Sequence, residues 1–430
     1  MINKILSTFG IRSISAVVNL LIAVALSQYL GPVGKGQQGL IITTVAMILV
    51  FSNLVGGATL VYLVPRYPYS KLIIPSYIWT VIISALSLPV LMLIRVIPAE
   101  FIVHVCILSA INSFASINMT LLIGKEKINA ANLIAVLQPL LIIACLIICF
   151  TLLGMKDIHA YIIALYTAFV ISWLVGTISV LRVFGKLDLG LKENMVVVYD
   201  MFRLGFMNQL AHITQFLSFR LSYYFLDIYH GEASVGIYSN GVSIVESIWL
   251  VGKSISLVQY ARIANTKDDD YSQSLSIHLL KGSFLVSLMA IIILLLLPVE
   301  FYIYIFGLGF EDIKTAITAL APGVLVYNIS IILGHYFSGR GKYYINTISS
   351  SIGLIISIIC YFLLIPYYDI VGAGLATSIS YLGTSIAILI FFHTESKKPV
   401  SSLLITGNDL SMYFTETRKF LFDKRKTEED

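Results

Sequence analysis

Charge is what this chain has least of. Only 12% of its 430 residues are Asp, Glu, Lys or Arg, whereas 58% are apolar. The charged share is about half that of an ordinary soluble domain. Mean hydropathy is +0.91. A water-soluble chain of this length needs far more polar side chains to cover its surface, so a soluble globular fold is excluded. Polar, charge-rich sequence is confined to the last residues, which excludes a disordered chain. Cysteine is scarce: Cys106, Cys145, Cys149 and Cys360 all lie in apolar runs. Cys145 and Cys149 are one helical turn apart, but no His or carboxylate accompanies them, so they read as packing residues. No glycine-rich phosphate loop is present, which disfavours an ATP-driven pump, and Gly124-Lys125-Glu126-Lys127 is only a basic turn. The acidic metal ligands or large outer loop of an integral-membrane polymerase or glycosyltransferase are missing too. No enzyme activity, cofactor or metal is expected, and no nucleic-acid partner.

Long apolar runs are what the chain has instead. A helix needs ~20 apolar residues to cross the hydrocarbon core. Twelve stretches qualify, at 5–30, 37–64, 72–96, 100–123, 130–153, 159–181, 200–226, 234–261, 275–297, 313–337, 344–365 and 371–392. Their length excludes barrel strands. The first is too long for a signal peptide. The longest gap is 182–199, so no soluble domain is inserted. With the N-terminus in the cytoplasm, the inner loops and tail hold 19 Lys and Arg and the outer loops 4, namely Lys35, Arg95, Lys156 and Lys314. That asymmetry predicts a multi-pass protein of the cytoplasmic membrane with both ends inside. In the tail, Leu410, Tyr413, Phe414, Thr417, Phe420 and Leu421 recur at helical spacing behind Asp409 as N-cap. This predicts an amphipathic helix on the inner leaflet.

The two halves echo each other. Gly124 to Lys127 opens span five as Gly339 to Lys342 opens span eleven, at an offset of 215 residues. Asp157-Ile158 matches Asp369-Ile370, and Gly10 matches Gly205. An offset of six spans keeps orientation, so the halves are expected to be parallel repeats about an axis along the membrane normal. The expected organisation is an all-α N-terminal six-helix lobe at 1–182, a cytoplasmic linker at 183–199, a C-terminal six-helix lobe at 200–392, and a cytoplasmic tail at 393–430.

Six charges fall inside spans. A mid-bilayer charge costs at least ~2.5–3.5 kcal/mol, so each needs a cavity, a partner or a reach to the interface. Arg12 shares a small, polar face with Ser15, Ala16, Asn19, Ala23 and Ser27. Span seven carries Asn208, His212, Gln215 and Ser222 on one arc, extended by Gln209, Arg220 and Asp227. Arg220 either serves this face or pairs with Asp227 two turns on. Arg203 reads as reaching the inner headgroups, and Lys281 either does the same or lines a cavity. Span eight places Ser239, Ser243, Glu246, Ser247, Lys253 and Ser254 on one stripe. Glu246 and Lys253 are ~10 Å apart along the axis, too far for direct contact. Span four adds an uncharged stripe through Ser109, Asn112, Ser113, Ser116 and Thr120. The sum is a cationic interior suited to phosphate oxygens.

These residues also carry a resemblance. Phe219-Arg220-Leu221, then Val235-Gly236-Ile237-Tyr238-Ser239 and Glu246, resemble the span seven-to-eight signature of bacterial polysaccharide flippases. Leu364-Ile365-Pro366 with Val371 to Thr377, and Gln28-Tyr29-Leu30-Gly31-Pro32 leading to Gly36, look like the same family. It is the Wzx-type O-antigen and repeat-unit flippases, the polysaccharide-transporter branch of the multidrug/oligosaccharidyl-lipid/polysaccharide (MOP) exporter superfamily. The resemblance implies a V-shaped pair of lobes and alternating access. It implies an undecaprenyl-diphosphate-linked oligosaccharide, an O-antigen or capsule repeat unit, as cargo among membrane lipids. It further implies antiport with H⁺ or Na⁺, with a polysaccharide polymerase and chain-length regulator as candidate partners. On this view Arg12 and Lys253 meet the diphosphate first and Arg220 receives it later. Asn19, Asn112, His212, Gln215 and Lys281 line the path, and Glu246 couples the ion. Two departures stand out: Ser222 where the family often has an acidic residue, and Gln259-Tyr260 where it has a proline. A lipid II flippase and a multidrug exporter of the same superfamily are the alternatives.

Overall fold

A computed structural model describes residues 2–185, 194–266, 268–396, 398, 400–407, 409 and 411, with side chains except at 2–9, 11–13, 194, 207, 208, 400 and 401. Among the described residues the regular structure is helical throughout. The helices are α1 (Ile2–Ser52), α2 (Gly57–Leu63), α3 (Ser70–Ile94), α4 (Ala99–Gly124), α5 (Ile128–Ile147), α6 (Ile158–Phe184) and α7 (Asn194–His230). They continue with α8 (Glu232–Ser247), α9 (Trp249–Ala264), α10 (Asp269–Leu296), α11 (Val299–Phe306), α12 (Ile313–Gly339) and α13 (Tyr343–Ser396). In lipid every backbone polar group must be satisfied within the segment, which selects helices. Some buried hydroxyls donate one turn back, as Ser27 does to Ala23 O at 2.7 Å and Ser109 to Val105 O at 2.6 Å. Asp157 and Asp268 cap α6 and α10 by accepting from the His159 and Tyr271 backbone N–H groups.

Several boundaries differ from the sequence reading for local reasons. Spans one and two run together in α1 and are separated only by a kink at Gly31 (φ 66°, ψ −173°), followed by Pro32. Spans eleven and twelve are fused in α13 and broken at Asp369 (φ 48°). The second span is interrupted by a 3-10 turn at Asn53–Val55 and resumes at Gly57, whose φ of 50° favours glycine. Span eight is the α8–α9 pair, bent by 41° at Ile248. The short helix α11 lies in what reads as a loop. By length and apolarity alone, eight helices among the described residues could cross a membrane, or nine with the bent pair. The kinked α1 and α13 each supply two of the predicted spans, and α7 is long enough but carries the polar arc. All twelve predicted segments thus find a helix.

The Gly31, Gly231 and Asp369 turns gather at one end of the molecule, called here the kink end. The chain's start and the end of α13 lie at the other, the terminal end. The repeat is visible in the backbone at the terminal end. After α4, Lys125 (φ −95°) and Glu126 (φ 56°) turn the chain, and Lys127 N–H donates to Leu122 O at 2.9 Å. After α12, Arg340 (φ −90°) and Gly341 (φ 75°) do the same, and Lys342 N–H donates to Phe337 O at 2.9 Å. Both turns sit at the offset of the sequence match. The Asp157 and Asp369 match does not extend to geometry: Asp157 is an extended N-cap, and Asp369 is a left-handed kink inside a helix.

Helices α1–α6 pack chiefly on one another, and so do α7–α13. The two groups form the lobes of the fold and meet where α1 lies against α8 and α7. Beyond α13 the tail folds back. Thr406 Oγ1 accepts from Asp409 N–H at 3.4 Å, and Asp409 Oδ2 accepts from Thr406 N–H at 2.8 Å. The cap of the tail helix is therefore Thr406, with Asp409 at its third position, instead of Asp409 itself. The amphipathic stretch from Leu410 onward lies almost wholly outside the described residues.

Candidate functional site

At the kink end the lobes are sealed. A Cβ on Gly36 would come within 1.8 Å of Glu232 O, and one on Gly236 within 2.0 Å of Pro32 O. Two backbones approach this closely only because both positions are glycine. Around the contact Asn240 Nδ2 donates to Ser27 Oγ at 2.7 Å, Gln37 Nε2 to Glu232 Oε2 at 2.9 Å, and Gln28 Nε2 to Ile305 O at 2.8 Å.

Toward the terminal end α1 and α8–α9 part. After the bend at Ile248, α9 packs on α12 and α10 within its own lobe. Leu250, Val251, Lys253, Leu257 and Val258 are exposed on α9, as are Ile14, Val17, Asn19 and Leu20 on α1. On the other side α7 bridges the lobes: Gln209 Nε2 donates to Val50 O at 3.0 Å and Tyr67 Oη to Asp200 Oδ2 at 2.8 Å. The molecule is thus closed at one end and cleft at the other.

The head of the cleft carries an ion pair. Arg220 on α7 forks onto Glu246 on α8, Nη1 to Oε1 at 2.9 Å and Nη2 to Oε2 at 2.7 Å. The side chains remain 25% and 17% exposed, so one edge of the pair is open. Behind it stands an aromatic floor. Phe219, Trp249, Tyr327 and Tyr381 have ring centroids 4.8–5.6 Å apart, and Tyr381 Oη approaches Glu246 Oε1 at 3.5 Å. Gln215 Nε2 donates to Tyr327 Oη at 2.7 Å. This floor ties α7, α9, α12 and α13 together beneath the charges.

The predicted residues distribute as follows. Arg220, Glu246 and Gln215 are brought together. The pairing of Arg220 with Asp227 does not form, because Asp227 is two turns along the same helix, whereas Glu246 faces Arg220 across the helix pair. Lys253 is exposed and makes no ion pair among the described residues, its Nζ lying 5.5 Å from the Trp249 ring centre. His212 and Asn19 are exposed. Asn112 is half-buried and accepts from Gln138 Nε2 at 3.1 Å. Lys281 neither reaches outward nor faces the cleft: it is 8% exposed and donates to Asp409 Oδ2 of the folded-back tail at 2.8 Å. The Arg12 and Asn208 side chains lie outside the described residues. The aromatic floor and Lys35 were missed. Tyr and Trp at helical spacing look like ordinary core, and Lys35 reads as a loop charge because it follows Gly31-Pro32.

No protein-family model matches the chain, and no curated protein does. Solved structures do. One is an inward-facing conformation of a multidrug resistance MATE family transporter of the MOP superfamily, at TM-score 0.73 and 16% identity over 90% of this chain and 95% of that one. Another is the lipid II flippase MurJ in an inward closed conformation, at TM-score 0.75 and 15% identity over 95% and 92%. The chain shares its fold with these transporter structures. An outward-facing MATE structure of this superfamily aligns less well, at TM-score 0.64.

Proposed function

We propose that this protein moves an undecaprenyl-diphosphate-linked oligosaccharide, an O-antigen or capsule repeat unit, from the inner to the outer leaflet of the bacterial cytoplasmic membrane by alternating access. The excess of Lys and Arg in the terminal-end loops makes that end cytoplasmic, so the cleft opens inward. The observation that carries the cargo is the charge left free along the cleft. Glu246 is already held by Arg220, and Lys253 is exposed with no ion pair among the described residues. The free charge is therefore positive, which suits a diphosphate and opposes the cationic cargo of a drug exporter. Lys253 meets the diphosphate first, together with Arg12, while the polyprenyl tail stays in lipid. Asn19, His212 and Asn112 offer hydrogen bonds to sugar hydroxyls.

Glu246 gates the next step. Protonation from H⁺ turns the carboxylate into a neutral acid and frees the Arg220 fork for phosphate oxygens. Na⁺ could take the same carboxylate by competing for its oxygens. The lipid II flippase reading shares this chemistry, and the MurJ fold match favours keeping it as the second reading. The test is complementation. Expressed in cells lacking their own O-antigen flippase, the chain should restore surface glycan. Arg220→Ala and Lys253→Ala should each abolish most of it at equal protein level. Intact glycan in both variants overturns the anionic path. Rescue of cells lacking only a lipid II flippase replaces the cargo assignment.

A further inference from the structure

Lys35 belongs to none of these steps, yet it is among the most deeply enclosed charges in the molecule. It lies one turn past the Gly31 kink on α1, in the seam between lobes, and is 4% exposed. Its Nζ donates to Gln38 Oε1 and, at 3.4 Å, to Ser239 Oγ on the facing α8. Both acceptors are neutral. Gln38 in turn donates to Tyr161 Oη at 3.3 Å. The carboxylate at the start of α8, Glu232, is engaged by Gln37. Among the described residues no acidic group lies within ion-pair distance of Lys35.

A buried ammonium without a counter-charge opposes the arrangement that buries it. The arrangement here is the closed seam, made otherwise of close-packed glycine backbone and neutral hydrogen bonds that can be remade with water. When the lobes part at this end, Lys35 is uncovered. Below it Ser239 leads through Ser243 to Glu246 on the same α8 stripe, and Ser243 is already exposed. Lys35 therefore stands at the exit end of the line that Lys253 begins.

We propose that Lys35 is an anion-binding group of the outward-open state, hidden while the outer end is closed and presented to the diphosphate when the lobes part. This rests on the flippase reading above and adds its exit step. A diphosphate on Lys35 holds the outer end open, and the seam closes only once that anion has left. With Lys35 unoccupied the seam can close, at the cost of burying its ammonium.

The test uses spheroplasts expressing a chain whose four native cysteines are replaced and which carries Ser27→Cys and Asn240→Cys. Those positions touch only across the closed seam, so disulfide yield on mild oxidation reports closure. Gln37→Cys with Glu232→Cys serves as a second pair should the first impair folding. Inorganic pyrophosphate added outside cannot cross the membrane and should lower the yield several-fold in the parent. It should leave Lys35→Gln unchanged, and Lys35→Arg should respond like the parent. Without pyrophosphate, Lys35→Met should crosslink more than the parent. No pyrophosphate effect in the parent, or an equal effect in Lys35→Gln, overturns the proposal. If pyrophosphate acts through Lys35 but Lys35→Gln cells display normal surface glycan, the site serves free anions and the exit role for cargo is overturned. Failure of the parent chain to restore glycan is a separate result and strikes the flippase reading alone.

Discussion

At the scale of single residues the Arg220–Glu246 pair carries the most consequence. Its geometry is bidentate, and it is walled by aromatic rings on one side. Glu246→Gln removes the charge and keeps the shape, leaving a guanidinium half-buried against an amide. A hydrogen bond to a charged group is worth about 1.5–3 kcal/mol, so thermal unfolding in detergent should show a loss of that order. The double variant Arg220→Met with Glu246→Leu should recover part of it, because an apolar pair leaves no stranded charge. Neither variant should restore glycan export. Equal stability of Glu246→Gln and the parent would show that the pair is loose in the protein. Both charges were legible in the sequence as groups that do not belong in a bilayer. Their partnership was not, because helical spacing reveals only neighbours on the same helix, such as Asp227. Arg220 and Glu246 are 26 residues apart and meet only once α7 and α8 pack as a hairpin.

At the scale of elements the same limit recurs in the tail. Spacing announced a helix after Asp409 and a lysine stranded in span nine, but not that each answers the other. The tail's Asp409 carboxylate is held at about 2, first by Lys281, then by the Thr406 backbone and hydroxyl. Its folded value lies below the ordinary aspartate range, so the docking contribution is present above about pH 4 and fades only as pH falls toward 2. Tail docking should therefore be insensitive to pH between 5 and 8, about the range a cell meets. Lys281→Met should release it, read as faster trypsin cleavage after Lys397 with the helical core intact. Unchanged cleavage would mean that the apolar contacts of Leu403 hold the tail without the ion pair. The seam is the other element-scale device. Gly36→Val places a branched side chain where the Glu232 carbonyl stands, and no rotamer can avoid a backbone atom. The variant should insert and fold yet crosslink poorly between positions 27 and 240. Gly36 entered the sequence reading only as part of a turn motif, since a glycine's reason for being small is visible only with its neighbour in place.

At the scale of the whole molecule, the class of fold was open to reading from sequence, and the state of the molecule was not. Twelve apolar runs and a shared basic turn at the start of spans five and eleven sufficed for two like-oriented halves, because hydrophobic length and charge bias act through the membrane as a common solvent. Which end is closed depends on contacts between halves, and those have no periodic signature. The two ends should nevertheless be coupled. Each lobe is packed on itself, the α7 bridge to the end of α1 can act as a pivot, and the seam and cleft lie at opposite ends of the same interface. A block at the seam should then narrow the cleft. In a background lacking native cysteines, Lys253→Cys should react readily with a thiol reagent applied to inside-out vesicles, because that position is exposed in the cleft. Adding Gly36→Val should slow the reaction several-fold by driving the lobes together at the terminal end. An unchanged rate would show that the lobes bend independently, and alternating access by rigid rocking would have to give way to a mechanism in which α8 and α9 hinge at Ile248 alone.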